Sequence, residues 1–416
     1  MERLIFHIDV NSAFLSWEAA RIVRDGGEDI RLIPSVIGGD PNKRTGVVLA
    51  KSIPAKKYGI KTGEPLSAAL RKCPNLFIAR PDFSLYERNS RAFMDICRQY
   101  TPTLEKFSID ECFLDMSGMH LIYPDPIATA HEIKDRIYRE LGFTVNVGIG
   151  PNKLLAKMAS DFEKPNKVHT LMSDEVEAKM WKLPVRELFS VGASTAARLE
   201  RSHIYTVGDL ARRSVKAVQA IVGVKFGELI HAYANGVDNS PVSSQTEEAK
   251  GYSISTTFEE DITSMTDAKA ILLMLSDSVS ARMRADGAQA YCIGVTVRTG
   301  EFKNSSHQRK LFEATDITSD IYNVSSELIG ELWDGHTPIR LIGISLTSLT
   351  RGESEQISFF EDEDKEKKRK IDKTVDNIRN KFGSETVVRG TSYKTKMNVG
   401  KKYKAQMENK EDGEDE

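Results

Sequence analysis

The chain has 416 residues, 40% of them hydrophobic and 28% charged, with 58 Lys and Arg against 60 Asp and Glu for a formal net charge of −2. That length exceeds one ordinary core and predicts roughly two to four domains. No apolar run approaches the roughly 20 residues needed to span a bilayer. The N-terminal stretch LIFHI, with a single Arg3 before it, is too short for a signal peptide, and a cytoplasmic location is the expectation. Four scattered cysteines (Cys73, Cys97, Cys112, Cys292) without a CxxC pair argue against a zinc site or a disulfide framework. The near-neutral net charge conceals local fields: Lys51–Lys57 and Arg298–Lys310 are mainly basic, and residues 407–416 mainly acidic.

Residues 3–8 read as a short buried strand, and Asn11 or Ser12 as the cap of a helix beginning AFLSWEAARIVRD. Asp9 therefore falls at a strand end. Residues 33–37 and 46–50 read as strands, and 65–72 and 84–100 as helices. The segments LEKFSI (104–109) and CFLDM (112–116) read as strands joined by Asp110 and Glu111 alone, a tight hairpin tip. A helix over 125–140 and the strand VNVGIG (145–150) complete a β-α-β-β-α-β order of the ferredoxin-like type, with residues 17–103 as an insertion.

From 166 to 236 short helices are punctuated by glycine, as in SVGASTAARL (190–199) and GVKFGELIHAYANGVD (223–238), suggesting repeated helix-turn-helix units. After the polar NSPVSSQTEEAK a second β-α-β-β-α-β order appears: strand 251–258, helix 266–285, strands 290–298 and 306–312, helix 318–333, strand 339–347. Two domains sharing one topology are expected. A helix near 365–382 precedes a charged end with the composition of disorder.

Asp9 at the end of one strand and Asp110-Glu111 at a hairpin tip would bring three carboxylates to one sheet edge. Phosphoryl transfer from a nucleoside triphosphate commonly uses two Mg²⁺ ions to stabilise the attacking and leaving oxygens, and Mg²⁺ takes hard oxygen ligands. Taken singly, an Asp before a helix is more often a cap, and Asp-Glu in a turn is more often simply solvated.

The surrounding segments change that weighting. HIDVNSAF, SIDECFLD and VGIGPNKLLAKMASDFEKPN follow one another within the first 166 residues, and with them the chain resembles the Y-family DNA polymerases, in particular the bacterial polymerase IV and UmuC-like group. The resemblance runs across nearly the whole length. It implies an α+β, right-hand, multidomain polymerase: a ferredoxin-like palm (1–16 and 79–165), small fingers (17–78), a helix-hairpin-helix thumb (166–238), a linker (239–248), a β-α-β-β-α-β little finger (249–350) and a tail (351–416). It further implies a template-directed, low-fidelity, translesion enzyme that adds deoxynucleotides to a primer 3′-OH.

Carried onto this sequence, the resemblance makes Asp9, Asp110 and Glu111 the catalytic metal ligands, with the Val10 carbonyl a fourth, for two Mg²⁺ ions or Mn²⁺ in their place. Lys164 matches a lysine that contacts the incoming triphosphate, and Phe14 matches an aromatic gate beneath the sugar that disfavours a ribose 2′-OH. The chain departs from the family in IPAKKYG, where Ile53 and Lys56 replace a usual tyrosine and arginine. Lys56 keeps the charge but not the bidentate geometry, and Ile53 has no polar role.

SVGASTAARL resembles a helix-hairpin-helix whose turn, around Gly192 and Ser194, offers backbone N–H groups to a DNA phosphate, although Ser190 stands where a first glycine is usual. In the little finger, Arg298, Lys303, Arg309 and Lys310 are expected phosphate contacts. QISFF (356–360) resembles the short peptide by which bacterial polymerases dock on the sliding clamp, through Gln356, Phe359 and Phe360. The implied partners are primer-template DNA, deoxynucleoside triphosphates and the clamp, for a monomer without membrane contact. A non-catalytic DNA- and clamp-binding scaffold is the alternative, and a nucleotide cyclase with a similar palm leaves the thumb-like hairpins unexplained.

Overall fold

The structure, a computed structural model, describes residues 3–42, 44, 46–245, 248–351, 363–383 and 386–389. They fall into two units, one of residues 1–39 and 47–246, the other of residues 40–46 and 247–416. The QISFF segment lies outside the described residues.

The first unit is built around β1 (Ile5–Val10), buried at all six positions because both faces of its sheet are covered. After Asn11 and Ser12 the chain enters α1 (Ala13–Arg24). Ser12 holds the cap position in a left-handed conformation, φ 49°, and makes no side-chain cap bond. Asn11 is likewise turned away: its Oδ1 accepts from the Asn166 amide (2.9 Å) and from Thr144 Oγ1 (3.0 Å). The capping expected of this pair is therefore replaced by bonds that tie the strand end to the loop at 166.

A small insertion follows, made of β2 (Ser35–Gly38), β3 (Val48–Lys51), α2 (Ile53–Lys57), α3 (Leu66–Lys72) and β4 (Phe77–Ala79). Its sheet has the order β3-β2-β4 and its own core around Val36, Val48 and Leu66. Then α4 (Phe83–Arg98), β5 (Leu104–Lys106), β6 (Glu111–Asp115), α5 (Pro126–Leu141), β7 (Val145–Gly150), α6 (Lys153–Ser160) and β8 (Val168–Thr170) complete the larger sheet, of order β5-β6-β1-β7-β8. β8 pairs parallel to β7 and carries this sheet past residue 165.

The hairpin differs from its sequence reading. β5 stops at Lys106, and residues 107–110 form the turn, closed by the amides of Phe107 and Ser108, which both donate to the Glu111 carbonyl at 3.1 Å. Glu111 is thus the first residue of β6, and Asp110 alone remains in the turn.

Gly148 allows α6 to lie directly on β7, because a Cβ there would stand 2.0 Å from Ala156 O and 2.4 Å from Ser160 N. Gly148→Ala is expected to destabilise the chain by about 3 kcal/mol in a denaturant titration. Gly118→Ala, with nothing within 4 Å of the added carbon, should change stability by under about 0.5 kcal/mol.

The unit ends in α7 (Ala193–Arg201), α8 (Val207–Arg212), α9 (Val215–Val222) and α10 (Val224–Ala234), packed around Leu155, Leu199, Leu210 and Ile230. Gly223 joins α9 to α10 at φ 100°, and Ser190 takes φ 73° in the turn before α7. The departure at Ser190 therefore keeps the backbone shape of the usual glycine, at a cost of about 1 kcal/mol.

The second unit contains β9 (Gly251–Ile262), α11 (Met265–Ala285), β10 (Ala288–Thr299), β11 (Asn304–Thr315), α12 (Thr318–Leu332), β12 (Ile339–Arg351) and α13 (Glu363–Phe382). Its sheet order is β11-β10-β12-β9. The element order repeats that of β1, α4, β5, β6, α5 and β7, yet the strand order does not, so the two domains do not share one topology. In the first sheet the second hairpin strand, β6, is interior; in the second it is the first hairpin strand, β10. The side chains explain this. β10 buries Ile293, Val295 and Val297 on the helix side, whereas β11 (NSSHQRKLFEAT) is mostly exposed and suits an edge.

α13 docks through ion pairs. Arg284, nearly enclosed, donates to both Asp376 oxygens (2.7 and 3.1 Å) and to Asp316 O (2.7 Å), and the Thr318 amide donates to Asp372 (2.8 Å). All four cysteines are buried as free thiols. No helix among the described residues is long and apolar enough to cross a membrane.

Candidate active site

Antiparallel pairing of β1 with β6 sets Asp9 opposite Glu111, and the Val10 amide donates to Asp110 O at 3.0 Å. One strand end and one turn thereby bring together Asp9, Val10, Asp110 and Glu111. Each carboxylate is held through one oxygen. Lys164 Nζ donates to Asp9 Oδ2, Ser108 Oγ donates to Asp110 Oδ1 at 2.7 Å, and both His7 Nε2 (3.1 Å) and Lys157 Nζ meet Glu111 Oε2. Among the described residues no donor reaches Asp9 Oδ1, Asp110 Oδ2 or Glu111 Oε1, and no group of three or more His, Cys, Asp or Glu stands close enough together, as placed, to hold a metal ion. The donor set is all oxygen and suits a hard cation such as Mg²⁺.

The local field differs between the two buried acids. Burial pushes the Asp9 carboxyl up to about 6, against the pull of Lys164. Burial also opposes the charge of Glu111, but hydrogen bonds from His7 and Lys157 outweigh it and bring that carboxyl down to about 2. His7 is held below its ordinary value by burial. As a neutral ring it donates from Nε2 to Glu111, and Nδ1 lies 2.8 Å from Ser160 Oγ, whose hydroxyl donates to Lys157 O at 2.8 Å. Lys164 is raised above its usual range because Asp9 and Asp161 overcome its burial.

An asparagine network seats the loop that carries Lys164. Asn146 Nδ2 donates to Ser160 O (2.9 Å) and Glu163 O (2.7 Å), and its Oδ1 accepts from Asn11 Nδ2 (3.1 Å) and the Lys167 amide (3.2 Å). Both asparagines are buried, Asn146 with four side-chain hydrogen bonds and Asn11 with three.

A cleft of about 450 Å³ opens beside these groups and is lined by Asn11, Ser12, Phe14, Lys51, Ile53, Lys56, Thr62, Asp110 and Lys164, among others. Four sequence-predicted residues, Phe14, Lys56, Asp110 and Lys164, meet there. Phe14 stacks on Tyr86 (centroids 4.6 Å, planes 14° apart) with Phe83 and Trp17 at its edges. Ile53 and Lys56 lie on α2, whose first turn is capped by Ser52 accepting from the Ala55 amide at 3.1 Å. Ile53 is 59% exposed on the cleft wall and offers no donor. Lys51, His7 and Lys157 are not conspicuous in sequence, and Asn11 stands out there only as a helix cap, although each falls inside a quoted motif or basic segment.

The expected nucleic-acid contacts are distributed unevenly. Gly192 immediately precedes α7, and it and Ser194 are exposed, so the helix N-terminus opens to solvent. In the second unit, strand alternation puts Ile293, Val295, Ile342, Ile344 and Ile254 against the helices. The other face carries Ser253, Ser255, Gly294, Thr296, Arg298, Gly343, Ser345, Ser306, Gln308 and Lys310 in register. Arg309 belongs to the helix side, where it is ion-paired to Glu327 and Glu331 of α12. Lys303 lies in the exposed turn, 2.8 Å from Glu301.

Residues 8–161 match the impB/mucB/samB family, residues 249–359 its C-terminal domain, and residues 186–238 the DNA polymerase-iota thumb domain. The chain is 46% identical over 395 residues to DNA polymerase IV of Clostridium acetobutylicum, covering 94% of this chain and 98% of that one. It is 36% identical to DNA polymerase IV of Clostridium kluyveri (96% and 100% covered) and 34% identical to DNA polymerase IV 2 of Bacillus subtilis (94% and 95%). A solved Y-family DNA polymerase chimera of Dbh and Dpo4 superposes with a TM-score of 0.73 at 22% identity, over 84% of this chain and all of the other.

Proposed function

The chain belongs to the Y-family of DNA polymerases, within the impB/mucB/samB group that includes bacterial DNA polymerase IV, and from that premise we propose that it extends a primer 3′-OH with deoxynucleotides by two-metal phosphoryl transfer, across damaged as well as intact templates. The observation that carries this reading is the juxtaposition of Asp9, Asp110 and Glu111 beside a cleft lined by Phe14, Lys56 and Lys164.

Asp9, Asp110, Glu111 and the Val10 carbonyl would hold two Mg²⁺ ions, which would supply charge stabilisation to the attacking and leaving oxygens. Lys164, kept protonated by its acidic neighbours, supplies a fixed positive charge to the triphosphate. Lys56 supplies a second. Phe14, braced by Tyr86, serves as the gate that disfavours a ribose 2′-OH. The Asn11–Asn146 pair keeps the Lys164 loop against the sheet.

Lys56 acts on binding, so Lys56→Ala is expected to raise the half-saturating deoxynucleotide concentration about 10-fold, with a smaller change in maximal rate. Lys56→Arg should lower it, since a guanidinium offers two parallel donors. Steady-state insertion across a titration of one deoxynucleotide reads both. Equal half-saturation in all three proteins would remove Lys56 from the triphosphate site.

DNA phosphates are met by the Gly192–Ser194 turn and by the helix-free face of the second unit's sheet, whose short side chains permit close backbone approach. Arg298 and Lys310 lie on that face, and Lys303 in its turn; Arg309, on the other side, is left out of the contact set. The protein works as a monomer tethered to the sliding clamp through Gln356, Phe359 and Phe360, a reading supported by the QISFF sequence. Primer extension in Mg²⁺ by the purified chain, with and without clamp, tests the whole proposal. A protein that binds primer-template but never extends it would instead be the scaffold.

A further inference from the structure

We propose that Lys157 and His7 are positioning residues for Glu111, and that Phe107 and Phe189 fix Lys157 in turn, so that the seating of the helical segment after Phe189 governs the aim of that carboxylate. The inference rests on the reading of Glu111 as a metal ligand.

Both donors converge on one atom. His7 Nε2 lies 3.1 Å from Glu111 Oε2, Lys157 Nζ bonds the same oxygen, and no described residue is recorded as donating to Oε1. A carboxylate pinned twice through one oxygen presents its other oxygen in a single direction. Outer groups of this kind orient metal ligands, and losing one typically costs about 10- to 100-fold in metal affinity or activity.

The two donors are themselves held. His7 packs against Phe113 of the strand that carries Glu111 (centroids 4.6 Å) and is bonded at Nδ1 to Ser160 of α6. Lys157 also comes from α6, and its ammonium lies 5.4 Å from the Phe107 ring and 5.6 Å from the Phe189 ring. Phe107 belongs to the turn that ends in Asp110. Phe189 immediately precedes Ser190, whose left-handed backbone leads into α7, and it stacks on Tyr233 of α10 (6.2 Å, planes 29° apart). A continuous path therefore runs from α10 through Tyr233, Phe189 and Lys157 to Glu111. A cation seated between two aromatic faces has a narrow choice of position.

The test uses the full chain with Lys157→Met, Lys157→Arg and Phe189→Leu. Phe189→Leu keeps every charge, so any change it causes at the metal site reports position and not field. Three quantities are measured: Mn²⁺ binding to the DNA-free protein by calorimetry, the maximal single-turnover insertion rate with its half-saturating deoxynucleotide concentration, and the melting temperature. Expected are Mn²⁺ binding weakened by roughly 10-fold and insertion slowed by roughly 10-fold in Phe189→Leu, with half-saturation within about 2-fold of wild type. Lys157→Met should slow insertion by roughly 10- to 100-fold, and Lys157→Arg should recover part of it. A lowered melting temperature with unchanged Mn²⁺ binding and insertion rate would reduce both residues to structural supports and overturn the proposal. If wild type fails to extend a primer, the polymerase reading fails by itself, and the Mn²⁺ titration still decides the positioning role.

Discussion

Replacing Asp110 and Glu111 together, as Asp110→Asn with Glu111→Gln, is expected to lower primer extension in Mg²⁺ by about 10³-fold or more. Two ligands that together contribute about 4 kcal/mol of charge stabilisation correspond to three decades in rate at 1.36 kcal/mol per decade. The isosteric amides are preferred to alanine because Glu111 is partly buried against His7 and Lys157, and a truncated side chain would leave that lysine without its acceptor. Glutamine retains an acceptor oxygen for both. A circular-dichroism melt close to wild type alongside the lost activity would place the effect in chemistry, and extension at the wild-type rate would remove the two residues from catalysis.

Phe14→Ala is expected to raise ribonucleotide relative to deoxynucleotide insertion by about 100-fold, the scale of a steric rejection worth 1–3 kcal/mol. Its ring is not loosely placed: Tyr86 stacks on it at 4.6 Å, Phe83 meets it edge-to-face at 6.2 Å and Trp17 lies tilted beside it at 6.0 Å. The same packing means that truncation costs stability, up to about 3 kcal/mol for a partly buried ring. Selectivity is therefore read as a ratio of the two nucleotides on one preparation, which cancels any loss of folded protein. An unchanged ratio would leave Phe14 as a core residue only.

The parts of the fold that sequence revealed are those where periodicity and turn chemistry coincide. The buried run at Ile5–Val10, the hairpin strands and both β-α-β-β-α-β successions stand where the hydrophobic pattern puts them, within a few residues. What stayed hidden has physical reasons. β4 and α2 are three and five residues long, too short for a period to show. The strand order of the second sheet depends on which hairpin strand can tolerate an edge, and element succession alone is silent about that; the polar sequence of β11 held the answer. Arg309 was grouped with its basic neighbours, although strand alternation at Arg309 and Lys310 already requires opposite faces.

The site was legible to a similar degree. The three carboxylates, Phe14 and Lys164 are conspicuous inside their motifs. Lys157 stands in the same motif, yet its bond to Glu111 spans 46 residues and its aromatic neighbours come from two further segments. Such a cluster is a product of tertiary packing. The cleft also gives the Ile53 and Lys56 departure a location: the apolar side chain is exposed on the wall, and Lys56 is the charged residue of that helix that lines the cleft.

The most direct measurement is primer extension by the purified wild-type chain in Mg²⁺ on two templates, one intact and one with an abasic site ahead of the primer end. Extension to the end of the intact template and insertion opposite and beyond the abasic position are the expected result. No extension on the intact template, from a protein shown to bind that primer-template, would contradict it.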